Sequence, residues 1–431
     1  MLTVHSYTSL SEEDIQRLCL RNADPDQTIR QRTVDILEQV KTRGDHALRH
    51  YNKTFDKVET DALVIHGETL DKLADQISRE EKRALEIAFN NIHQFHQRQA
   101  MREKKVETSP GVTCWREMRP IERVGLYIPG GTAVLPSTLL MLGVPARIAG
   151  CKEIVICTPP QADGTVNPYV AYCTRLLQID RCFLTGGAQA VAAMAYGTSS
   201  IPKVDKIFGP GNQYVTMAKQ LIQGSTAIDM PAGPSEVLVI GDADSNPAFI
   251  ASDLLAQAEH GVDSKAILLS TDAALIDAVN QELSLQLGTL DRRDLAKQAI
   301  QDSYAILCED LEQAFRFSNQ YAPEHLILAL EDAENHTRRI QHAGSVFLGH
   351  LCPESMGDYA SGTNHTLPTS GYARAYSGVS LDSFVKKVTF QKINAEGLRY
   401  LGPTVEILAD IESLQAHKQS VSIRLKSLDA L

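Results

Sequence analysis

The sequence predicts an α/β protein with two parallel-sheet domains and helical segments at both ends of the chain. From Arg123 onward, short apolar runs alternate with helix patterns, first as far as SEVLVIG and again from ASDLLAQAEHG to SVFLG. This alternation is typical of parallel strands that helices cover on both faces. The 431 residues also exceed the size at which a single hydrophobic core stops growing. We therefore expect two Rossmann-like domains.

The composition favours small-molecule chemistry. Hydrophobic residues make up 43% of the chain and charged residues 22%, as in ordinary globular proteins. A net charge of -11 opposes a phosphate backbone, so we expect no nucleic-acid partner. The sequence contains neither a signal peptide nor an apolar run long enough to span a bilayer. We expect a cytoplasmic protein without a membrane partner.

The segments outside the alternating region are predicted to be helical. The first hundred residues contain SEEDIQRLCLR, DQTIRQRTVDILEQVKTRGDHALRHY and REEKRALEIAFNNIHQFHQRQA, with apolar residues at three- and four-residue spacing. The C-terminal segment is also helical, with an expected interruption at Gly402 and Pro403. The long polar stretch after Gly349 is predicted to carry function. The eight cysteines form no C-x-x-C pair, which indicates buried, reduced thiols.

Two strings contain candidate metal or proton-transfer residues. In DLLAQAEHG, Gln257 and His260 lie three apart on one helix face, where an amide oxygen and an imidazole can converge on one ion. His260 can equally complement the helix C-terminus. In NQYAPEHLIL, Glu324 and His325 precede a strand and are expected to point to opposite sides, which suits two separate proton transfers. A solvated Glu-His pair is the alternative.

Further candidates lie towards the C-terminus. In GDYASGTNHTLPT, Asp358 and His365 stand among glycines that allow a backbone to approach a ligand closely, although a plain polar turn has the same composition. Glu412 and His417 lie five apart, a spacing that by default places them on a helix surface. These residues alone do not decide between site and surface.

Two glycine loops are candidates for a phosphate or dinucleotide site. YIPGG and FGPGNQYV each lie between a strand and a helix N-terminus, where backbone N–H groups attract phosphate. Neither is a G-x-G-x-x-G fingerprint, and tight turns explain the glycines equally well.

Taken in order, these strings closely resemble the histidinol dehydrogenase family. The resemblance is carried by RPIERVGLYIPGG, MLGVPARIAG, GGAQA, KIFGPGN, IDMPAGPSEVLVI, SDLLAQAEHG, NQYAPEHL, AGSVFLG and GDYASGTNH. It implies a zinc-containing, NAD-dependent oxidation of L-histidinol to L-histidine, the last step of histidine biosynthesis. A zinc-dependent hydrolase and a non-catalytic two-domain binding protein are the rival hypotheses. The former lacks an H-E-x-x-H helix, and the latter, in its periplasmic form, lacks an export signal.

The resemblance also implies the site. It assigns one Zn²⁺ per subunit to Gln257, His260, Asp358 and His417, and these four residues also contact the substrate. Further substrate contacts are implied for Ser235, His325, His365 and Glu412, and NAD contacts for Tyr127, Gln189 and Asn212. By the same resemblance His325 is the base for the alcohol, and Glu324 is the base towards the water that adds to L-histidinaldehyde. Each L-histidinol consumes two NAD⁺.

The implied enzyme is a homodimer with shared active sites. The expected domains are an N-terminal helical tail (1–22), a discontinuous first α/β domain (23–126 and 237–379), a second, NAD-binding α/β domain (127–236), and a C-terminal domain (380–431) that contributes to the partner's site. In this family the C-terminal segment supplies Glu412 and His417 to that site.

Overall fold

The computed structural model describes residues 1–21, 27–100, 103–130, 134–231 and 233–429. The chain forms two compact units. The first consists of Met1–Gln99 and Ile121–Phe384, and the second of Ala100–Pro120 and Val385–Leu431. The start of the predicted helix at Asp26, the predicted boundary between residues 22 and 23, and Gly131 of the YIPGG loop lie outside the described residues.

The strands and helices alternate through most of the first unit. The strands are β1 (Thr3–Ser6), β2 (Val64–His66), β3 (Val106–Ser109), β4 (Val112–Pro120), β5 (Arg123–Tyr127), β6 (Glu153–Thr158), β7 (Arg181–Leu184), β8 (Lys206–Phe208), β9 (Ala227–Ile228), β10 (Glu236–Gly241), β11 (Lys265–Ser270), β12 (Tyr304–Leu307), β13 (His325–Ala329), β14 (Ser345–Leu348) and β15 (Val385–Ile393). The α-helices are α1 (Glu12–Cys19), α2 (Gln27–Arg43), α3 (Asp45–Tyr51), α4 (Gly67–Ala74), α5 (Arg79–Gln97), α6 (Pro136–Ala149), α7 (Pro168–Leu176), α8 (Gly187–Tyr196), α9 (Gln213–Leu221), α10 (Pro247–Ala258), α11 (Ala273–Leu287), α12 (Arg293–Gln301), α13 (Leu311–Tyr321), α14 (Glu354–Tyr359), α15 (Ala395–Ile411) and α16 (Gln415–Asp429).

Two six-stranded sheets form the first unit, and they share one strand order. The first sheet runs β1-β12-β11-β10-β13-β14, and all of its strands are parallel. The second runs β2-β7-β6-β5-β8-β9, and only β2 is antiparallel. In each sheet the first strand of the series lies in the middle and the fourth strand lies beside it, which is the doubly wound order. The predicted fold class is confirmed.

The central strands are buried on both faces, as their continuous apolar runs predict. In β10, Val237 and Val239 enter one hydrophobic cluster, whereas Leu238 and Ile240 enter another on the opposite face. The eight cysteines are all free. Five are buried, but Cys19, Cys114 and Cys352 are only partly so, and the expectation that every thiol is a core residue is wrong for these three.

The N-terminal helices begin where their capping residues predict. Ser11 and Ser78 each accept a hydrogen bond from a backbone N–H three residues later, and the acidic residue there bonds back, which completes a capping box. Gly44, with φ of +51°, separates α2 from α3. Within the described ranges, none of the helices combines the length and the apolar character that a membrane crossing requires.

The second unit contains a sheet that the sequence analysis did not predict. Strands β15, β4 and β3 form an antiparallel sheet in that order, and helices α15 and α16 follow. The predicted interruption at Gly402 and Pro403 is wrong, because α15 continues through both residues. Gly402 lies so close to α16 that a Cβ atom there would come within 2.8 Å of Leu425 Cδ1, so close helix packing explains this glycine.

Candidate active site

The amino ends of β10 and β13 hold a buried pair of proton-transfer side chains. Glu236 is the first residue of β10, and His325 is the first residue of the neighbouring parallel strand β13. The backbone N–H of Glu236 donates to Glu324 Oε2 at 2.8 Å, and His325 Nδ1 lies 3.2 Å from the carbonyl oxygen of Glu236. Because a carbonyl oxygen can only accept, Nδ1 carries the hydrogen. One residue therefore fixes both side chains.

The prediction that Glu324 and His325 point to opposite sides is wrong. His325 Nδ1 lies 3.6 Å from Glu324 Oε2, and both side chains are buried. The alternation of a strand does not apply, because Glu324 precedes β13 and its carboxylate is turned towards the backbone of β10. The two groups form one coupled pair rather than two separate sites.

The long polar stretch after Gly349 adds the other side of the cluster. Asp358, on α14, places Oδ1 at 3.3 Å from His325 Nε2, an ion-pair distance without an aligned hydrogen bond. His365 Nδ1 donates to the carbonyl oxygen of Asp358 at 2.8 Å, and His365 Nε2 lies 3.2 Å from Thr138 Oγ1 on α6. Asp358 is thus brought to His325, and His365 lies between the backbone of Asp358 and helix α6, which packs on the second sheet.

Burial and charge set the protonation of this cluster. Burial lowers the pKa of His325, but the carboxylates of Glu324, Glu354 and Asp358 outweigh that effect and raise it. Burial raises the pKa of Glu324 against the opposing charge of His325. For Asp358, burial is outweighed by His325, so its pKa is lowered. His325 therefore holds its proton more firmly than an unperturbed imidazole does.

Gln257 and His260 lie at the C-terminal end of α10, which packs against α14. The Gln257 side chain is fully buried, yet neither its Oε1 nor its Nε2 has a hydrogen-bond partner. His260 follows the end of the helix and is exposed in the single chain, but enough protein surrounds its ring that desolvation lowers its pKa, against the opposing charge of Asp358. A buried amide without a partner is unusual, which makes its oxygen a candidate to bind a ligand.

Two buried carboxyl groups near this cluster were missed by the sequence analysis. Glu354 is 1% exposed, its Oε2 has no partner, and burial raises its pKa well above the usual range. Burial also raises the pKa of Asp253 to about 7. Glu354 precedes Asp358 by four residues on α14, and Asp253 precedes Gln257 by four on α10, so helical spacing was the available signal.

The predicted NAD residues lie at the carboxyl ends of the second sheet. Tyr127 ends β5, and its hydroxyl accepts the backbone N–H of Gly187 at 3.1 Å. A Cβ atom on Gly209, which follows the neighbouring β8, would lie 2.2 Å from the carbonyl oxygen of Tyr127. These loops meet between β5 and β8, the switch point where such sheets bind ligands. Gln189 is buried in the first turn of α8, and Asn212 is exposed and caps α9.

The remaining predicted residues are divided between the two units. Ser235 is partly buried directly before Glu236, whereas Glu412 and His417 belong to the second unit and are exposed. Within the part of the chain that the structure describes, no three His, Cys, Asp or Glu side chains are arranged to hold a metal ion. Of the predicted zinc ligands, the first unit supplies only two of these types, His260 and Asp358.

The fold and this cluster define an α/β enzyme with a buried acid–base pair. Comparison with known proteins is more specific. The family model described as histidinol dehydrogenase matches residues 20–425. The histidinol dehydrogenase of Bacteroides thetaiotaomicron is 54% identical over 91% of this chain and 92% of its own, and the chloroplastic enzyme of Arabidopsis thaliana is 51% identical over 92% and 85%. A crystal structure of histidinol dehydrogenase from Elizabethkingia anophelis matches with a TM-score of 0.96 and 49% identity over 99% of both chains.

The chain belongs to the histidinol dehydrogenase family, which confirms the resemblance inferred from the sequence motifs. Family membership makes it an oxidoreductase. The residue roles that the resemblance implied stay predictions.

Proposed function

We propose that this protein oxidises L-histidinol to L-histidine through L-histidinaldehyde, with one Zn²⁺ per subunit and two NAD⁺ in succession, as the last step of histidine biosynthesis. The observation that carries this proposal is the buried pair Glu324 and His325, which lies beside Asp358 and close to the amino ends of two parallel strands. The names of the relatives support the choice of substrate.

The residues at the end of α10 fit a bound cation. An unpaired buried polar group costs about 1–3 kcal/mol, so the partnerless amide of Gln257 is explained if its oxygen is a ligand. His260 and Asp358 add an imidazole and a carboxylate, which are ordinary zinc ligands. We assign these three residues to the ion, together with His417 of the partner subunit. Bound zinc would hold the substrate in place and neutralise Asp358, which favours loss of the proton from His325.

His325 serves the first oxidation. Its Nδ1–H donates to the carbonyl oxygen of Glu236, so Nε2 is the nitrogen that exchanges protons. Nε2 faces Asp358, on the side where the substrate is proposed to bind. His325 takes the proton of the substrate hydroxyl through Nε2 while the alcohol carbon gives up its hydride to NAD⁺.

Glu324 serves the second oxidation. A buried carboxyl group with a raised pKa is a stronger base when ionised than an exposed one, which suits removal of a proton from water. That water adds to the aldehyde carbon before the second hydride can leave. The hydrogen bond from the Glu236 N–H keeps Glu324 in place between the two steps.

The cofactor is assigned to the switch point of the second sheet. Tyr127 is buried, Gln189 lies in the first turn of α8, and Asn212 stands at the N-terminus of α9, where the helix dipole favours a phosphate group. Thr138 connects this region to His365, so cofactor and substrate are held by neighbouring elements. Because two cofactors bind in succession, we expect loose binding, in agreement with the missing dinucleotide fingerprint.

The shared dimer accounts for the C-terminal residues. Glu412, which directly follows α15, and His417, on α16, are exposed. Several large apolar side chains of these helices are exposed as well: Tyr400, Ile407, Leu408, Ile411 and Ile423. We propose that this segment enters the site of a second copy, where Glu412 contacts the substrate alongside Ser235 and His365. The cytoplasmic location and the lack of nucleic-acid and membrane partners also stay predictions.

One assay tests the proposal. Purified protein is mixed with limiting L-histidinol and excess NAD⁺, NADH is followed by absorbance, and the product is identified by chromatography. We expect two NADH and one L-histidine per L-histidinol, loss of turnover with a chelator, and recovery with Zn²⁺. A hydrolase or a binding protein produces no NADH, and one NADH per L-histidinol contradicts the four-electron reaction.

A further inference from the structure

We propose that Arg21 and Glu236, neither of which contacts substrate in our assignment, are positioning residues for the proton-transfer pair. The inference rests on the proposed roles of Glu324 and His325. Its basis is a continuous set of hydrogen bonds from the N-terminal segment, through the Glu236 side chain, to the backbone atoms that hold both proton-transfer groups.

The Arg21 guanidinium is fixed by hydrogen bonds to a carboxylate and two backbone carbonyls and by an aromatic ring. Its Nε and Nη2 donate to the two carboxylate oxygens of Glu236 at 2.8 and 3.1 Å, a bidentate pair with both side chains at most 10% exposed. Further donations reach the carbonyl oxygens of Cys19 and Tyr321 at 2.7 and 2.8 Å. The guanidinium also lies 3.4 Å from the centre of the Tyr321 ring. Such a fork fixes the orientation of a carboxylate as well as its position.

Glu236 connects Arg21 to the proton-transfer pair. Its carboxylate accepts hydrogen bonds from Arg21 and from the backbone N–H of Ser370, the latter at 3.1 Å. Its backbone N–H and carbonyl contact Glu324 and His325, respectively. The carbonyl contact selects the tautomer of His325 that leaves Nε2 to exchange protons. A rotation of the Glu236 peptide groups would therefore displace both proton-transfer groups together.

A simpler view is that Arg21 and Glu236 only stabilise the fold. The two views differ in what a variant does to the folded enzyme. A displacement near 1 Å of a reacting group costs about 10²-fold in rate. A structural pair, once lost, lowers the amount of folded protein but leaves the rate per intact site unchanged.

The experiment compares three variants of the full-length holoenzyme. Arg21→Lys keeps the charge but loses the fork, and the double variant Arg21→Met with Glu236→Gln removes both charges, so that no unpaired carboxylate stays buried. Arg175→Met is the control, because Arg175 on α7 also donates to carboxylates, those of Asp71 and Asp75 at α4, in pairs that are more exposed than Arg21 and Glu236. Measurements are kcat per zinc-loaded site, the solvent deuterium isotope effect on kcat, and the dissociation constant of L-histidinol by calorimetry.

We expect kcat to fall about 100-fold in the double variant and about 10-fold in Arg21→Lys. The isotope effect should rise because proton transfer becomes slower, L-histidinol should bind with similar affinity, and Arg175→Met should match the wild type. Unchanged kcat and isotope effect in both Arg21 variants would overturn the inference, as would a loss that Arg175→Met shares. If the wild type itself makes no NADH from L-histidinol, the proposed function fails first.

Discussion

Replacing Gln257 by leucine is expected to stabilise the metal-free protein and to weaken zinc binding. The substitution removes two buried polar atoms that have no hydrogen-bond partner in the metal-free chain, and it keeps the side chain close to its original size. Each unsatisfied buried group costs about 1–3 kcal/mol, so the metal-free variant should gain about 2 kcal/mol or more in the free energy of unfolding. The same change removes a proposed zinc ligand. Substitution of residues that only support a ligand costs about 10–100-fold in affinity, and we expect a larger loss here.

The assay measures denaturant unfolding of chelator-treated protein and zinc affinity by competition with a chromophoric chelator. Gln286→Leu is the matched control, because the Gln286 amide donates to the carbonyl oxygen of Ala248 and to Glu282. That variant should lose about 1 kcal/mol and bind zinc normally. If metal-free Gln257→Leu is less stable than the wild type, the amide has a partner in solution, and the structural support for the ligand disappears.

Three further predictions concern the proton transfers, the cofactor and the dimer. Glu324→Gln should release one NADH per L-histidinol and accumulate the aldehyde in single-turnover experiments; two NADH would remove Glu324 from the second step. Gly209→Ala should raise the KM for NAD⁺ at least about 10-fold, because φ is +126° and the new Cβ would meet the Tyr127 carbonyl oxygen, while L-histidinol affinity should not change. Inactive His260→Asn and His417→Asn proteins, dissociated and mixed, should recover about a quarter of wild-type activity, because hybrid dimers carry one intact shared site. A mixture without activity would argue against shared sites.

The sequence predicted the central fold because its signals are local. Apolar strand runs and helix periodicity alternate twice, and the structure shows two sheets with the same doubly wound order. The antiparallel sheet of the second unit depends instead on pairing between β4 and β15, which are far apart in the chain. No local pattern specifies such a partner. The run of α15 through Pro403 likewise depends on packing against α16, as the contact of Gly402 shows.

The site was less accessible to residue-level reasoning. Spacing alone left the roles of Gln257 and Glu324 open, and the family resemblance supplied the assignments. The resemblance could not reveal that Glu324 and His325 both contact the backbone of Glu236. That contact depends on the pairing register of β10 and β13, which lie far apart in the sequence. The burial of Glu354 also depends on the tertiary structure, as does the contact between Arg21 and Glu236, which are far apart in the sequence.

We propose that side chains from distant segments bind one divalent ion next to the acid–base pair. Anomalous diffraction from crystals of the zinc-loaded protein, recorded on both sides of the zinc absorption edge, would locate this ion. We expect one strong peak per subunit, about 2.0–2.2 Å from Gln257 Oε1, a nitrogen of His260 and an Asp358 oxygen, with His417 of the partner subunit beside it. A peak elsewhere, or no peak in active crystals, would show that these residues do not form the metal site.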